Sequence, residues 1–221
     1  MPDQYFGKYT GIVRDNRDGA GLGQVQVSVP AIFPPSELMP ARAALPYGYH
    51  FVPEVGTKVW VEFEGGDPGL PLWTGVQYAA GEWPAEARAD PPQSRAVRSA
   101  AGHLLLLDDR GGEEKVCLTD GVHRHTLTLD ADGITVKDGV NGHSITLGPQ
   151  GILTELATGG RIEMTAASTT VDAGAGVVEV RGSLVRLGAG SSPVIRLGDA
   201  GIGNLGAPVV MTVTTNTQVL A

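Results

Sequence analysis

Short runs of alternating apolar and polar residues mark the first 80 residues of the chain. In residues 24–29 every second residue is a valine, and in residues 58–64 Val59, Val61 and Phe63 alternate with other residues. This period of two is typical of half-buried β-strands. Together with the glycine- and proline-rich turns between them, the runs predict strands at residues 8–13, 24–29, 58–64 and 71–76. The proline-rich residues 30–53 predict a long loop.

Four or five strands in about 80 residues favour a small barrel or sandwich. The alternation also predicts which side chains fill its interior. The predicted core positions are Val25, Val27, Val59, Val61 and Trp73.

A different pattern starts near residue 100, where a histidine followed by alternating apolar residues returns several times. His103, His125 and His143 occupy the same position in three copies, and a looser fourth copy starts at Gly160. Further strands are predicted at residues 115–119, 134–137, 151–156, 169–171, 177–181, 184–187 and 194–197. Strand pairs repeating every 18–22 residues cannot bury their apolar side alone. We therefore expect a β-helix or intertwined β-prism in which several chains wind about one axis.

Composition divides the chain at the same place. All twelve aromatic residues lie within the first 83 residues, and the remaining 138 have none. Aromatic side chains normally supply much of a compact core, so two architectures are expected. The predicted divisions are a barrel at 1–80, a linker at 81–99, a β-helical segment at 100–199 and a C-terminal segment at 200–221. After Asp199 this last segment carries no charged side chain.

Charge and cysteine content exclude several classes of function. The net charge of −8 disfavours binding to nucleic acid. The single cysteine excludes an intrachain disulfide. No apolar run has the length of a membrane helix, and no signal-peptide pattern opens the sequence.

Two histidines offer the most specific candidate chemistry. On a strand, His123 and His125 would share the face of Leu127 and Leu129. In a three-fold assembly they would present six imidazoles near the axis, which suits an octahedral transition metal. The alternative, which we favour, is that His125 only fills the repeat position and His123 faces solvent. No metal-binding residue is therefore assigned.

Other reactive side chains are better explained by structure. Turn chemistry accounts for the acidic residues that follow strands, and burial for the cysteine; these are Asp108, Asp109, Asp130, Asp132 and Cys117. The acidic residues Glu54, Glu62, Glu64 and Asp67 follow no hydrolase motif and are expected at the surface. The nucleophile, zinc-protease and phosphate-loop motifs are missing. We predict that the protein is not an enzyme, with no catalytic residue and no cofactor.

Several stretches resemble a known family. Residues 5–16 and 21–30 resemble the start of the phage baseplate assembly protein V and type VI spike family. The most diagnostic stretch covers residues 51–68, with Pro71-Leu72-Trp73-Thr74-Gly75 after it. Residues 98–165 resemble, more weakly, the β-helical spike that follows in that family. The resemblance implies an all-β chain with an N-terminal OB-fold barrel and a C-terminal trimeric β-helix (β-prism) needle.

The resemblance also implies a function. The expected protein is a homotrimeric central spike of a contractile injection machine, which plugs the tail tube and pierces the target envelope without catalysis. Its expected partners are a tail tube or hub protein at the barrel end, a separate tip protein at residues 200–221 and, transiently, the target envelope, with no nucleic acid. The expected protein would be a component of a phage tail, tailocin or other phage-like injection particle that is assembled in the bacterial cytoplasm. The alternative is an OB-fold binding module on a β-stalk that recognises a glycan or nucleic acid.

Overall fold

The computed structural model describes residues 4–88, 90–181, 200–202 and 208–210. This part of the chain is built from β-strands, with two short 3₁₀ turns at Glu64–Gly66 and Ala85–Ala87. None of its helices is long and apolar enough to cross a membrane. The predicted all-β class is confirmed.

Five strands near the N-terminus close into a barrel. They are β1 (Tyr9–Asp15), β2 (Val25–Ser28), β3 (Met39–Ala43), β4 (Lys58–Phe63) and β5 (Pro71–Val76). Around the barrel the order is β1-β2-β3-β5-β4, and β4 pairs back with β1. Only the pairing of β3 with β5 is parallel. This closed sheet confirms the N-terminal barrel that the resemblance implies, and it excludes the sandwich that the strand pattern also allowed.

The barrel core includes all five residues that the sequence predicts for it. Val27, Val59 and Val61 are fully buried, and Val25 and Trp73 are only 1% exposed. The Trp73 indole N–H donates to the carbonyl of Gly23 at 2.9 Å, so its polar atom is satisfied inside the core. Because every second side chain of a strand points inward, five short strands supply one apolar interior.

The predicted loop at residues 30–53 is wrong in its centre, where β3 forms. Met39 and Ala41 point into the core, whereas Pro40 and Arg42 are exposed. The strand is short and contains alanine and proline, which strands generally disfavour, so its sequence gives little signal. Its two partners, β2 and β5, stabilise it instead.

Nine strands after the barrel form one antiparallel sheet. They are β6 (Ser94–Arg98), β7 (Leu104–Asp108), β8 (Lys115–Thr119), β9 (Thr126–Asp130), β10 (Gly133–Lys137), β11 (Ser144–Gly148), β12 (Gly151–Glu155), β13 (Arg161–Met164) and β14 (Thr169–Asp172). Each strand pairs with the next one along the chain. The sheet begins at Ser94, inside the stretch 81–99 for which the sequence predicts a linker.

The predicted strand at residues 177–181 is wrong, because these residues form no strand. A segment of alternating apolar and polar residues forms a strand only where another strand pairs with it. Val177 is largely exposed. The predicted strands at 184–187 and 194–197 lie outside the described residues. Within 200–221, β15 (Ala200–Ile202) pairs antiparallel with β16 (Pro208–Val210).

Candidate assembly surface and histidine turns

One face of the nine-stranded sheet is apolar and remains exposed. The strand register aligns two rows of side chains across the sheet, which we call the apolar face. The first row is Val97, Leu105, Leu118, Leu127, Val136, Ile145, Thr154, Ile162 and Val171, and the second is Leu107, Val116, Leu129, Ile134, Leu147, Ile152 and Met164. Apart from Leu127 and Thr154, these residues are 38–55% exposed. A contiguous apolar surface of this kind marks a site of interaction.

The other face of the sheet is mostly polar over β8 to β14. Threonines alternate with the apolar residues, as in Thr128 between Leu127 and Leu129 or Thr146 between Ile145 and Leu147. A sheet with one solvated face normally buries its apolar side. In the described part of a single chain the apolar side is uncovered, so another surface is needed to cover it.

Two glycines allow tight turns between successive strands at one end of the strands. Gly133 and Gly151 have φ values of 129° and 140°. A Cβ atom would lie 2.0 Å from the carbonyl oxygen of Leu147 at the first position and 1.9 Å from that of Met164 at the second. Any larger residue would push neighbouring strands apart, so these glycines set the close spacing of the turns.

The repeated histidines stabilise the turns at the opposite end of the strands. The Nδ1 atoms of His103, His125 and His143 accept hydrogen bonds from the backbone N–H groups of Gly121, Gly139 and Ala157, at 3.1–3.2 Å. Each histidine therefore connects its own strand to a turn later in the chain. The favoured interpretation of His125, a structural residue at the repeat position, agrees with this contact.

Two aspartates organise the turns that contain these histidines. Asp120 accepts hydrogen bonds from the backbone N–H groups of His123 and Val122, at 2.8 and 3.2 Å. Asp138 accepts from the backbone of Val140 and the side chain of Asn141. Because these bonds favour the ionised carboxylate, they lower the pKa of both aspartates to about 2.

Acid should weaken these turns between about pH 4 and pH 2. An unperturbed aspartate has a pKa of about 3.9, and both folded values are lower. The stabilisation is therefore fully present above about pH 4 and is lost as the pH falls through the folded pKa. We expect the thermal midpoint, followed by circular dichroism, to fall across this window less steeply in Asp138→Asn than in the wild type. Equal slopes would contradict a role for the ionised carboxylate of Asp138.

The structure places His123 in a turn, and the strand position expected for it is wrong. Arg124 takes a left-handed φ of 64°, and its N–H donates to the carbonyl of Asp120 at 3.0 Å. The rings of His123 and His125 nevertheless stack, with centroids 5.5 Å apart. Asp120 lies beside both of them, so that the three side chains have ligand atoms within 4.8 Å of one another. Asp120 was not predicted from the sequence, because it reaches both rings through a turn and not through a strand.

The remaining candidate residues have structural partners. Cys117 is half-buried beside the hydroxyls of Thr119 and Thr128. Asp108 is buried, and its bonds to Arg110 and Ser94 hold its pKa well below the usual range.

Surface pairs and turns account for the other acidic residues. Glu62 pairs with Lys8, Glu64 with Arg42 and Asp109 with Arg95. Asp67 and Asp130 each accept a hydrogen bond from the backbone N–H two residues later, Glu54 is exposed, and Asp132 is an exposed residue that follows β9.

An open groove of about 640 Å³ lies between barrel loops and the first strand of the sheet. Tyr49, Tyr78 and Trp83 contribute aromatic surface to it, and Arg98 contributes a positive charge. The rings of Tyr78 and Trp83 stack with centroids 4.3 Å apart. This groove is separate from the histidine cluster.

Residues 9–78 match the family model described as the type VI secretion system/phage-baseplate injector OB domain. The barrel is similar to the domains of this family. The match covers all five strands of the injector OB domain and confirms the part of the resemblance that falls on the barrel. A search of curated proteins finds no match to the chain. The nine-stranded sheet lies outside the matched residues, so its role is argued from its own surface.

Proposed function

We propose that the protein is the central spike of a contractile injection machine, formed by three copies of the chain. The injector OB domain would form the base. Three nine-stranded sheets, each contributing its apolar face to a shared interior, would form a β-prism needle. The exposed apolar face carries this proposal, and the family of the barrel supports a structural role in a baseplate.

The chemistry of the sheet fits such an assembly. Three sheets around one axis would bury both apolar rows of each chain and leave the threonine-rich faces in water. Adjacent strands lie about 4.8 Å apart, so nine strands extend about 38 Å along the needle. Hydrogen bonds between strands would then run along the needle axis, which gives the stiffness needed to pierce an envelope. No catalytic step is needed for this work.

The two ends of the spike are proposed to have different partners. The injector OB domain would contact a tail tube or hub protein, and residues 200–221 would contact a separate tip protein. An uncapped end of a β-structure exposes backbone groups that promote aggregation. Residues 200–221 have no charged side chain that would prevent it. The target envelope would be a transient contact. The particle would be a phage tail or a phage-like injection system assembled in the bacterial cytoplasm.

The mass of the full chain in solution tests the assembly. We expect sedimentation analysis of the purified protein to give three times the chain mass of 22.9 kDa. The physical reason is that a single chain leaves its apolar face in water. A stable monomer over the whole micromolar range would contradict the spike.

The aromatic groove favours a second candidate function, that of a binding module which recognises a glycan. Stacked aromatic rings with a nearby arginine offer both apolar and polar contacts. A monomeric chain whose glycan binding is lost in Trp83→Ala would support this alternative. The net charge of −8 argues against nucleic acid as the ligand.

A further inference from the structure

Two turns of the nine-stranded sheet share one backbone structure. Residues 120–125 read Asp-Gly-Val-His-Arg-His, and residues 138–143 read Asp-Gly-Val-Asn-Gly-His. In each turn the N–H of the aspartate donates to the carbonyl of the final histidine at 2.8 Å. The N–H of the fifth residue donates to the carbonyl of the aspartate at 3.0 Å in both. The turns differ at only two positions, where His123 and Arg124 replace Asn141 and Gly142.

The second turn shows that its structure requires neither the histidine nor the arginine. Asn141 Nδ2 donates to the Asp138 carboxylate at 2.7 Å, and His123 Nδ1 lies 2.9 Å from the Asp120 carboxylate. Asparagine therefore makes the equivalent side-chain contact. Among the described residues, Arg124 is the one non-glycine residue with a positive φ, at a position where Gly142 fits without strain. Residues held in sparsely populated backbone conformations cluster at functional sites, and this turn also carries one more imidazole than the second turn.

We propose that Asp120, His123 and His125 of one chain bind a divalent transition-metal ion such as Zn²⁺. One nitrogen of each ring and one carboxylate oxygen lie within 4.8 Å of one another. Two imidazoles and one carboxylate form a donor set that binds such ions in preference to Mg²⁺ or Ca²⁺. Zinc ligands lie about 2.0–2.2 Å from the ion, so the side chains must move closer when it binds. The side chains of His123 and His125 are 61% and 48% exposed, so an ion can reach both rings from solvent.

Neighbouring groups orient two of the proposed ligands, His125 and Asp120. His125 Nδ1 lies 3.1 Å from the Asp138 carboxylate. With its proton on Nδ1, the ring would donate to this carboxylate in place of accepting from the Gly139 N–H, and Nε2 would be free to bind the metal. A histidine oriented through its second nitrogen is the usual arrangement in metal sites. Asp120 is fixed by backbone N–H groups of its own turn. All three ligands come from six consecutive residues, so the site does not depend on the assembly of the spike.

Calorimetric titration of the full-length protein with Zn²⁺ tests the site. We expect one Zn²⁺ per chain. In His123→Asn, which copies the second turn, binding should weaken more than about tenfold, since even residues behind the ligands contribute tenfold or more. The thermal midpoint without zinc should stay unchanged. In Asn141→His, which recreates the three ligands around Asp138 and His143, the stoichiometry should rise to two.

The same titration can overturn the proposal. One Zn²⁺ per three chains would mean an ion on the assembly axis rather than a site in each turn. Absence of binding at micromolar zinc, or wild-type affinity in His123→Asn, would exclude the proposed ligands. An unchanged stoichiometry in Asn141→His would show that the turn structure does not create the site. These outcomes do not depend on whether the protein is a spike.

Discussion

Replacing Val61 by aspartate should unfold the injector OB domain. Val61 lies in the centre of β4, between β1 and β5, and is fully buried. An unpaired carboxylate there costs several kcal/mol, and the lost apolar contact costs about 2 kcal/mol more. Together they approach the whole stability of a typical domain, about 5–15 kcal/mol. We expect the near-ultraviolet circular dichroism of the barrel aromatics to be lost at room temperature.

Val55→Asp is the matched control for this experiment. The same substitution is made at a valine of the same domain, but Val55 is 57% exposed, so the new carboxylate stays in water. We expect its spectrum and thermal midpoint to resemble those of the wild type. A Val61→Asp protein that melts normally would show that the carboxylate is accommodated and that the core description of β4 is wrong.

Replacing Val136 by aspartate should dissociate the proposed trimer. Val136 is central in the first row of the apolar face, where its register partners are Leu127 and Ile145. It is 45% exposed in one chain, so the aspartate can be hydrated in a monomer. In the trimer three carboxylates would be buried together, and both desolvation and mutual repulsion oppose this. Sedimentation should therefore show a fall from three chain masses to one.

Thr135→Asp tests whether the effect belongs to the apolar face. Thr135 is the preceding residue of β10, so its side chain points to the other side of the sheet. We expect this variant to keep the wild-type mass. If both variants dissociate, the sheet itself is disrupted. If Val136→Asp stays trimeric, the apolar face is not the interface.

The sequence predicts the barrel core well because strand alternation determines which side chains point inward. Val25 and Val27 could be assigned to the core without any knowledge of their neighbours. The strand β3 was missed because Met39 and Ala41 are an alternating pair too short to recognise beside Pro40. Its formation depends on β2 and β5, which are distant in sequence, and local pattern carries no information about them.

The cluster of Asp120, His123 and His125 could be predicted only in part. The two histidines were noticed from their spacing, but the aspartate reaches them through a turn that places Arg124 in a left-handed conformation. Such a conformation is uncommon for arginine, so its sequence does not suggest it. The repeated Asp-Gly-Val at residues 120–122 and 138–140 was the available signal, because equal turns place equal side chains together. The alternation of apolar and polar residues likewise could not show whether a strand pairs with a strand of its own chain or with one of another chain.

The chain-order pairing of the nine strands has a consequence for the evolution of this protein. The hydrogen bonds of each strand reach only the strands before and after it in sequence. From His125 to His143 the repeat is 18 residues long and contains the two strands β9 and β10. Duplication or deletion of one such unit would change the length of the sheet by about 10 Å and preserve the order of all other pairs. In the proposed spike, changes in the number of repeats would thus lengthen or shorten the needle. The barrel tolerates no such change, because its first and fourth strands must meet.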